Sequence, residues 1–336
     1  MRSVSTELRS RPRAFTLVEL LVVVAIVALL VALILVGLQH AQFLSRQMKC
    51  LSNQRMIALA QASYATDNGG AYASNQTQIW PGFNFNFSIT NACGTFPILI
   101  NNGSMVQTSY HGWVAAYTPN LITDGNGVRE LSASLEKGRL WSYIGNLGAY
   151  RSPLEPPSDR VRSYSINGFF GATIPEDGFD RATVWNQWFC AKGVTPHEWR
   201  STHVARIRHP SQMICSIIED DRRTSGIQYN AGGWLFDPRT PPGTPDVDPV
   251  AATGWQGWID WPAFWNPKAI TYSYADGSTE TYSLANRALP AAIEGPPGAG
   301  YGHGYPEPAI DGFRRDWWHF RERLFPGVIP RIPFVF

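Results

Sequence analysis

The first candidate functional residue of this chain is a glutamate inside a long apolar stretch. Residues 14–38 contain one charged side chain, Glu19. A stretch of about 24 apolar residues is long enough to cross the hydrocarbon core of a bilayer as a helix. An acidic side chain inside such a helix costs roughly 2.5–3.5 kcal/mol on insertion scales. We therefore treat Glu19 as a functional candidate and expect it to have a partner.

The four cysteines are the next reactive side chains, and none of them forms a CxxC pair. This spacing gives no indication of a zinc site. Cys50 lies in a helical pattern and Cys215 in an apolar strand pattern, so we expect both to be buried free thiols. An exported domain permits disulfides, and the pair we would then expect is Cys93 with Cys190, because both lie in loop-rich sequence.

One short segment has the composition of a cation-binding loop. Asp124-Gly125-Asn126-Gly127 supplies oxygen ligands and flexible glycines, and Glu130 follows as the nearest candidate for a bidentate ligand. The segment lacks a third acidic residue at the spacing that calcium loops need. The alternative is a simple turn, which is what we expect. No other metal and no cofactor are predicted.

The element that positions Glu19 is a helix much longer than a membrane span. Apolar residues continue at helical spacing from Phe43 to Tyr64, so the helix is predicted to run from Phe15 to about Thr66. The segment Asp67-Asn68-Gly69-Gly70 predicts its end. We therefore divide the chain into a basic leader (1–14), a transmembrane half-helix (15–38), an exported half-helix (39–68) and an exported globular domain (69–336).

The exported domain is predicted to be rich in strands and loops. The chain has 30 Gly and 25 Pro, most of them after residue 66, and this composition favours turns and short strands. We expect a strand over residues 213–218 and a hairpin formed by residues 270–274 and 280–284. The predicted fold class is α+β, with the long N-terminal helix packed on an antiparallel sheet that long loop insertions enlarge.

Charge distribution sets the orientation and excludes one class of partner. The leader contains Arg2, Arg9, Arg11 and Arg13 against a single Glu7. By the positive-inside rule, the N-terminus stays in the cytoplasm and the domain after the span is exported. The formal net charge is +2 and no stripe of Lys and Arg is present, so we predict no nucleic-acid partner.

Known catalytic motifs are missing from the sequence. We find no nucleophile elbow, P-loop, HExxH or paired catalytic carboxylates. We therefore do not expect an enzyme.

The segment Arg13-Ala14-Phe15-Thr16-Leu17-Val18-Glu19 resembles the signal of type IV pilins and type II secretion pseudopilins. That signal is a basic leader and a small residue, followed by Phe-Thr-Leu-[Ile/Val]-Glu at the start of an apolar helix. The small residue is more often Gly in the family, and Ala14 departs from this.

The resemblance implies processing and assembly. A prepilin peptidase would cleave between Ala14 and Phe15, and the new amine of Phe15 would be methylated. In the family's assembly, Glu19 of an incoming subunit would pair with the Phe15 amine of a neighbour, which satisfies two charges in lipid. Thr16 either caps the first amides of the helix or has no role.

Later segments resemble a branch of large pilin-like proteins that have an H-x9-D-G element near the C-terminus. These segments lie in the expected order at residues 163–168, 209–212 and 274–278. The position of the branch's His is occupied by Asn266, while Asp276-Gly277 is kept. We interpret Asp276-Gly277 as the turn of the predicted hairpin rather than a binding site.

The resemblance implies a structural subunit, either a pilin of a type IV pilus or a pseudopilin of a type II secretion system. Its partners would be the peptidase, other subunits and the inner membrane, with the exported domain in the periplasm or, after assembly, at the cell surface. The alternative is a membrane-anchored module that binds glycan or a secreted substrate. That surface would be formed by Trp255, Trp258, Trp261 and Trp265.

Overall fold

The computed structural model describes residues 16–73, 86–91, 94–99, 112–115, 121–124, 127–168, 203–220, 234, 262–266, 269–285 and 313–324. The chain divides into two compact units, Met1–Arg46 and Gln47–Phe336.

The first unit contains the apolar part of helix α1, which spans Leu17–Asp67. This confirms the long helix that the sequence predicted, with an end one residue later than expected. Its apolar side chains are exposed: Leu17 is 79% exposed and Leu33 is 67% exposed. Among the described residues, α1 is the one helix long and apolar enough to cross a bilayer. These features are compatible with anchoring in a membrane.

The second unit contains the other half of α1, and glycine ends the helix where the sequence predicted. Gly69 and Gly70 have φ angles of 63° and 92°, which side chains with a Cβ rarely adopt. The amide of Gly70 donates to the carbonyl of Ala65 at 2.6 Å. This bond across six residues is the Schellman ending of a helix.

A four-stranded antiparallel sheet forms the centre of the second unit. Its strands are β5 (Tyr164–Ile166), β6 (Ile214–Ile218), β7 (Ala269–Tyr274) and β8 (Thr279–Ser283). They lie in sequence order, with β5 at one edge and β8 at the other. The structure therefore confirms the predicted strand near residues 213–218 and the predicted hairpin of β7 and β8.

The two faces of this sheet are covered by two different helices. Side chains alternate between faces along a strand, so Thr271 and Tyr272 point in opposite directions. Thr271 contacts α1 through its hydroxyl, 3.3 Å from Cys50 Sγ. Tyr272 contacts helix α4 (Phe313–Leu324), with its hydroxyl 2.6 Å from His319 Nε2. A long N-terminal helix on an antiparallel sheet is the α+β, pilin-like fold class that was predicted.

Shorter elements complete the described part of the second unit. Two antiparallel hairpins precede the sheet, and two short helices follow them. The elements are β1 (Asn86–Asn91) with β2 (Gly94–Leu99), β3 (Leu121–Asp124) with β4 (Gly127–Glu130), α2 (Ser132–Glu136) and α3 (Trp141–Ile144). Trp113 and Tyr150 are fully buried in the core and stack on each other with ring centroids 5.9 Å apart.

Cys50 and Cys215 are buried free thiols, as the sequence predicted. Three hydroxyl groups surround the Cys50 sulfur: Ser152 Oγ at 3.4 Å, Tyr164 at 3.3 Å and Thr271 at 3.3 Å. This polar cluster lies where α1 packs on the sheet. Burial raises the pKa of the Cys215 thiol to about 12, so Cys215 stays a neutral thiol at physiological pH.

Candidate functional site

The candidate site is the first turn of α1, where Thr16 and Glu19 bond to each other. The amide and the hydroxyl of Thr16 both donate to Glu19 Oε2, each at 2.8 Å. In return, the amide of Glu19 donates to Thr16 Oγ1 at 3.2 Å. The carbonyl of Thr16 accepts the first helical bond, from the amide of Leu20. This is a reciprocal capping box with Thr16 as the N-cap residue.

The local sequence explains this geometry. A helix has unpaired amides in its first turn, and Thr followed three residues later by Glu satisfies two of them. In water, solvent could satisfy those amides, but a bilayer core has no such donors or acceptors. The Thr-x-x-Glu spacing therefore allows α1 to begin inside an apolar environment. The sequence left the role of Thr16 open, and the structure assigns it the cap.

The cap uses one of the two carboxylate oxygens of Glu19. Within the described residues, Oε1 of Glu19 accepts no hydrogen bond. The neighbours Leu17, Val18 and Leu20 are exposed and apolar. The cap itself therefore leaves Oε1 unused, on a helix surface whose neighbouring side chains are apolar. Such an oxygen can accept a bond from a cation that another molecule supplies.

The cleavage position between Ala14 and Phe15 lies outside the described residues. Its position therefore stays a prediction from the resemblance. Residues 9–35 match the family model for the prokaryotic N-terminal methylation motif. The chain contains a prepilin-type N-terminal methylation motif. The match supports the resemblance to type IV pilins and pseudopilins, and it covers the end of the leader and the first half of α1. No curated protein and no solved structure matches the chain.

This motif has general implications for the processing, the partners and the role of the protein. Proteins with a prepilin-type motif are processed at the N-terminus, and the motif implies a prepilin peptidase and other pilin subunits as partners. It points to a structural subunit rather than an enzyme. Together with the long apolar helix α1, it is compatible with anchoring in a membrane.

The tryptophan cluster of the alternative hypothesis is described at one position only. Trp255, Trp258 and Trp261 lie outside the described residues. Trp265 is partly buried and packs against the hydrophobic core. The predicted pair Cys93 and Cys190 also lies outside the described residues.

The two described ends of the candidate calcium loop belong to a hairpin. Asp124 is the last residue of β3 and pairs with Gly127, the first residue of β4, which fits the turn that we expected. Glu130 is buried, and its Oε2 accepts a bond from Arg162 Nε at 2.9 Å. Its carboxylate therefore already has a cationic partner inside the domain. Among the described residues, no group of three His, Cys, Asp or Glu side chains could hold a metal.

Asp276-Gly277 forms the turn between β7 and β8. Gly277 has a φ of 87°, and its amide donates to Tyr274 at 3.0 Å. Asp276 Oδ1 accepts bonds from the amide of Ser278 at 2.8 Å and from its hydroxyl at 2.6 Å. Asp and Gly are the residues that such a turn requires. The geometry supports the turn, while the proposed H-x9-D-G branch stays a prediction.

Asn266, at the position of the branch's His, has its own local contact. It is nearly buried, and its carbonyl accepts a bond from the amide of Ala269 at 3.1 Å. This bond lies immediately before β7. The contact is a main-chain one, so it gives the Asn266 side chain no functional role.

Sequence reasoning missed two features of the described structure. The first is α4, although Phe313, Trp317, Phe320 and Leu324 have the spacing of an amphipathic helix. The second is a surface groove in which Tyr143 lies beside the exported half of α1. Nothing in the sequence pattern could have brought Tyr143 to that helix.

Proposed function

We propose that this chain is a structural subunit of a type IV pilus or of a type II secretion pseudopilus. The peptidase cleaves between Ala14 and Phe15, and Phe15 becomes N-methylated. Residues 15–38 lie in the inner membrane before assembly, with the N-terminus in the cytoplasm and the exported domain in the periplasm. The observation that supports this most strongly is the prepilin-type motif at the start of a 51-residue helix.

The proposed assembly contact joins Glu19 to the amine of Phe15 on a neighbouring subunit. An apolar environment makes an unpaired carboxylate or ammonium costly, and pairing the two removes both costs. The capping box supports this contact, because it fixes Glu19 through one oxygen and leaves the other open to an incoming cation. Thr16 would act as a positioning residue for that carboxylate.

The test separates the charge of Glu19 from its capping role. Glu19→Gln keeps an amide oxygen that can accept from Thr16, since Gln also serves in capping boxes, but it removes the charge. Glu19→Ala removes both. Breaking one side of a buried ion pair costs about 3–5 kcal/mol, so we expect both variants to be cleaved and inserted but not assembled. Filaments are sheared from cells, and the chain is quantified in the filament and membrane fractions by immunoblot.

Thr16→Val is the matched control, because it removes the hydroxyl of the cap but leaves the charge of Glu19. Loss of an N-cap costs about 1 kcal/mol, so this variant should assemble at a reduced level. If Glu19→Gln reached the filament fraction at the wild-type level, Glu19 would act as a cap alone and the intersubunit pair would be refuted.

The alternative, a surface-binding module, depends on the Trp255 to Trp265 segment. Trp265 contributes part of its surface to the core of the domain, which is a packing role. No contact among the described residues favours the glycan-binding hypothesis over the structural subunit.

A further inference from the structure

The exported half of α1 has a row of exposed residues along one side. The row consists of five residues that recur at intervals of three and four and so lie on one side of the helix. We call these residues the outer stripe: Met48, Ser52, Arg55, Leu59 and Ser63. Met48 is 67% exposed and Leu59 is 46% exposed. Single exposed apolar side chains are common on protein surfaces, so the groove and the charges beside them decide what the stripe can bind.

A shallow groove runs along part of the outer stripe. It has a volume of about 380 Å³, and its walls include Arg55, Leu59 and Ser63 from α1 and Tyr143 from α3. The ring of Tyr143 is held in place, because its hydroxyl donates to Asp67 at 2.8 Å and its edge packs on Tyr64. The groove therefore has a fixed aromatic wall, an aliphatic floor and a cation on one side.

The charges of α1 are all of one sign over most of its length. Residues 20–66 contain no Asp or Glu, whereas Arg46, Lys49 and Arg55 are all exposed. None of these three cations forms an ion pair in the part of the chain that the structure describes. The nearest acidic residues of the helix are Glu19 and Asp67 at its two ends.

This charge pattern bears on which molecule can cover the outer stripe. If a second copy packed its own α1 against the stripe, Arg55 would meet a surface without carboxylates wherever residues 20–66 lay opposite it. This is true for every register in which residues 20–66 of the second copy lie opposite Arg55. Like charges brought together at an interface oppose association, and unpaired cations that lose water add a further cost. Asp67 lies outside this acid-free stretch, at the end of the helix, where its Oδ2 accepts a bond from the hydroxyl of Tyr143.

We infer that the outer stripe docks a helix of a different chain, with apolar side chains against Met48 and Leu59 and an Asp or Glu opposite Arg55. This inference rests on the proposed function and names the kind of partner that such a subunit requires. Charge complementarity of this kind selects one helix over another in paired helices, where a repulsive contact excludes the wrong partner. The chain would then enter the assembly with its exported half-helix beside an acidic subunit rather than beside the α1 of another copy.

The test places a photoreactive amino acid at Ser63 of the full chain in cells that contain its natural membrane partners. After irradiation, adducts from the sheared fraction are identified by peptide mass spectrometry. We expect an adduct with another chain whose linked helix has an Asp or Glu near the crosslink. Arg55→Glu should reduce its yield about fivefold or more, because it replaces an attraction by a repulsion. Changing the partner's carboxylate to Lys in the Arg55→Glu background should restore it.

Arg208→Glu is the matched control, since Arg208 is an exposed cation outside α1. It should leave the adduct unchanged. An adduct of two copies of this chain, a peptide-free adduct with lipid or polysaccharide, or a yield unaffected by Arg55→Glu would each overturn the inference. A second variant carries the photoreactive amino acid at Ser52. If the chain reaches the sheared fraction and neither position gives an adduct, the inference is also overturned.

The experiment distinguishes a failure of the proposed function from a failure of this inference. If the wild-type chain never reaches the sheared fraction, the proposed function itself is wrong. If it does reach that fraction and its adducts are homotypic, the proposed function stands and only the acidic partner is refuted. Arg55 is exposed, so an unchanged unfolding temperature of the Arg55→Glu variant checks that the loss of adduct is not a loss of fold.

Discussion

Glu19 has two carboxylate oxygens, and the cap engages one of them. Oε2 accepts both bonds from Thr16, which fixes the side chain in the first turn of the helix. A single residue can therefore begin a helix in lipid and still present an anion to a neighbour. This explains why a costly acidic residue can stand four positions after Phe15 in a stretch that is otherwise apolar.

Gly277 is the second residue whose type is set by two constraints at once. Its φ is 87°, and a Cβ built on it would lie 2.9 Å from Leu59 Cδ2. A left-handed conformation costs a residue with a Cβ about 1–2 kcal/mol, and Leu59 must also move. We therefore expect Gly277→Ala to lower the free energy of unfolding of the exported domain by about 1–2 kcal/mol for the backbone, with a smaller addition for displacing the flexible end of Leu59, as measured by urea denaturation.

Gly145 supplies the control for this prediction. It also has a positive φ, of 57°, but a Cβ there would meet no atom within 4 Å. Gly145→Ala should therefore show the conformational cost alone. If both substitutions lowered stability equally, the contact between the β7–β8 turn and α1 would contribute nothing.

Among the elements, helix α4 covers the face of the sheet opposite the one that α1 contacts. It covers that face with Phe320 and with two polar contacts, His319 to Tyr272 and Asp316 to Tyr282 at 2.8 Å. The ring of His319 also stacks on Tyr282 with centroids 3.7 Å apart. The helix is therefore held on the sheet by aromatic packing and by buried hydrogen bonds, which makes its attachment sensitive to protonation.

Burial of His319, together with the nearby Arg323 and Arg315, lowers its pKa to about 3. In the unfolded chain the pKa is near the ordinary value of 6.5. Below pH 6.5 the unfolded state therefore binds a proton that the folded state excludes, so stability falls as pH drops from 6.5 towards 3. For this one group, the slope is at most about 1.4 kcal/mol per pH unit.

We expect His319→Gln to flatten this dependence, because Gln can contact Tyr272 without titrating. The measurement is the free energy of unfolding of wild type and variant at pH 7 and pH 4.5. The acidic neighbours Asp316 and Glu280 and the tyrosines Tyr272, Tyr274 and Tyr282 are present in both proteins, so their contributions cancel in the comparison. Equal losses of stability in the two proteins would show that His319 does not titrate as its surroundings predict.

At the scale of the whole molecule, the sequence predicted the parts whose pattern is local. The 51-residue helix α1, its glycine ending and the β7–β8 hairpin follow from apolar periodicity and turn residues within a few positions. The capping box is also local, but Thr at this position is compatible with a cap or with no role, and only the bond lengths decide.

The features that the sequence did not predict depend on distant contacts. Tyr143 reaches the outer stripe through the packing of α3, and Glu130 is engaged by Arg162, 32 positions away. No pattern in either segment specifies these partners, because they are chosen by the tertiary fold. The helix α4 was missed for a different reason, since the high Gly and Pro content of the exported domain favoured turns and short strands.

The central claim, that this chain is processed as a prepilin, is tested most directly by the mass of its mature N-terminus. The full chain is purified from cells with an active prepilin peptidase, digested and analysed by mass spectrometry. If the chain is processed as a prepilin, we expect an N-terminal peptide that begins with N-methylated Phe15 and no peptide from residues 1–14. A mature protein that still begins at Met1, or that is cut elsewhere and leaves Phe15 unmethylated, would contradict it.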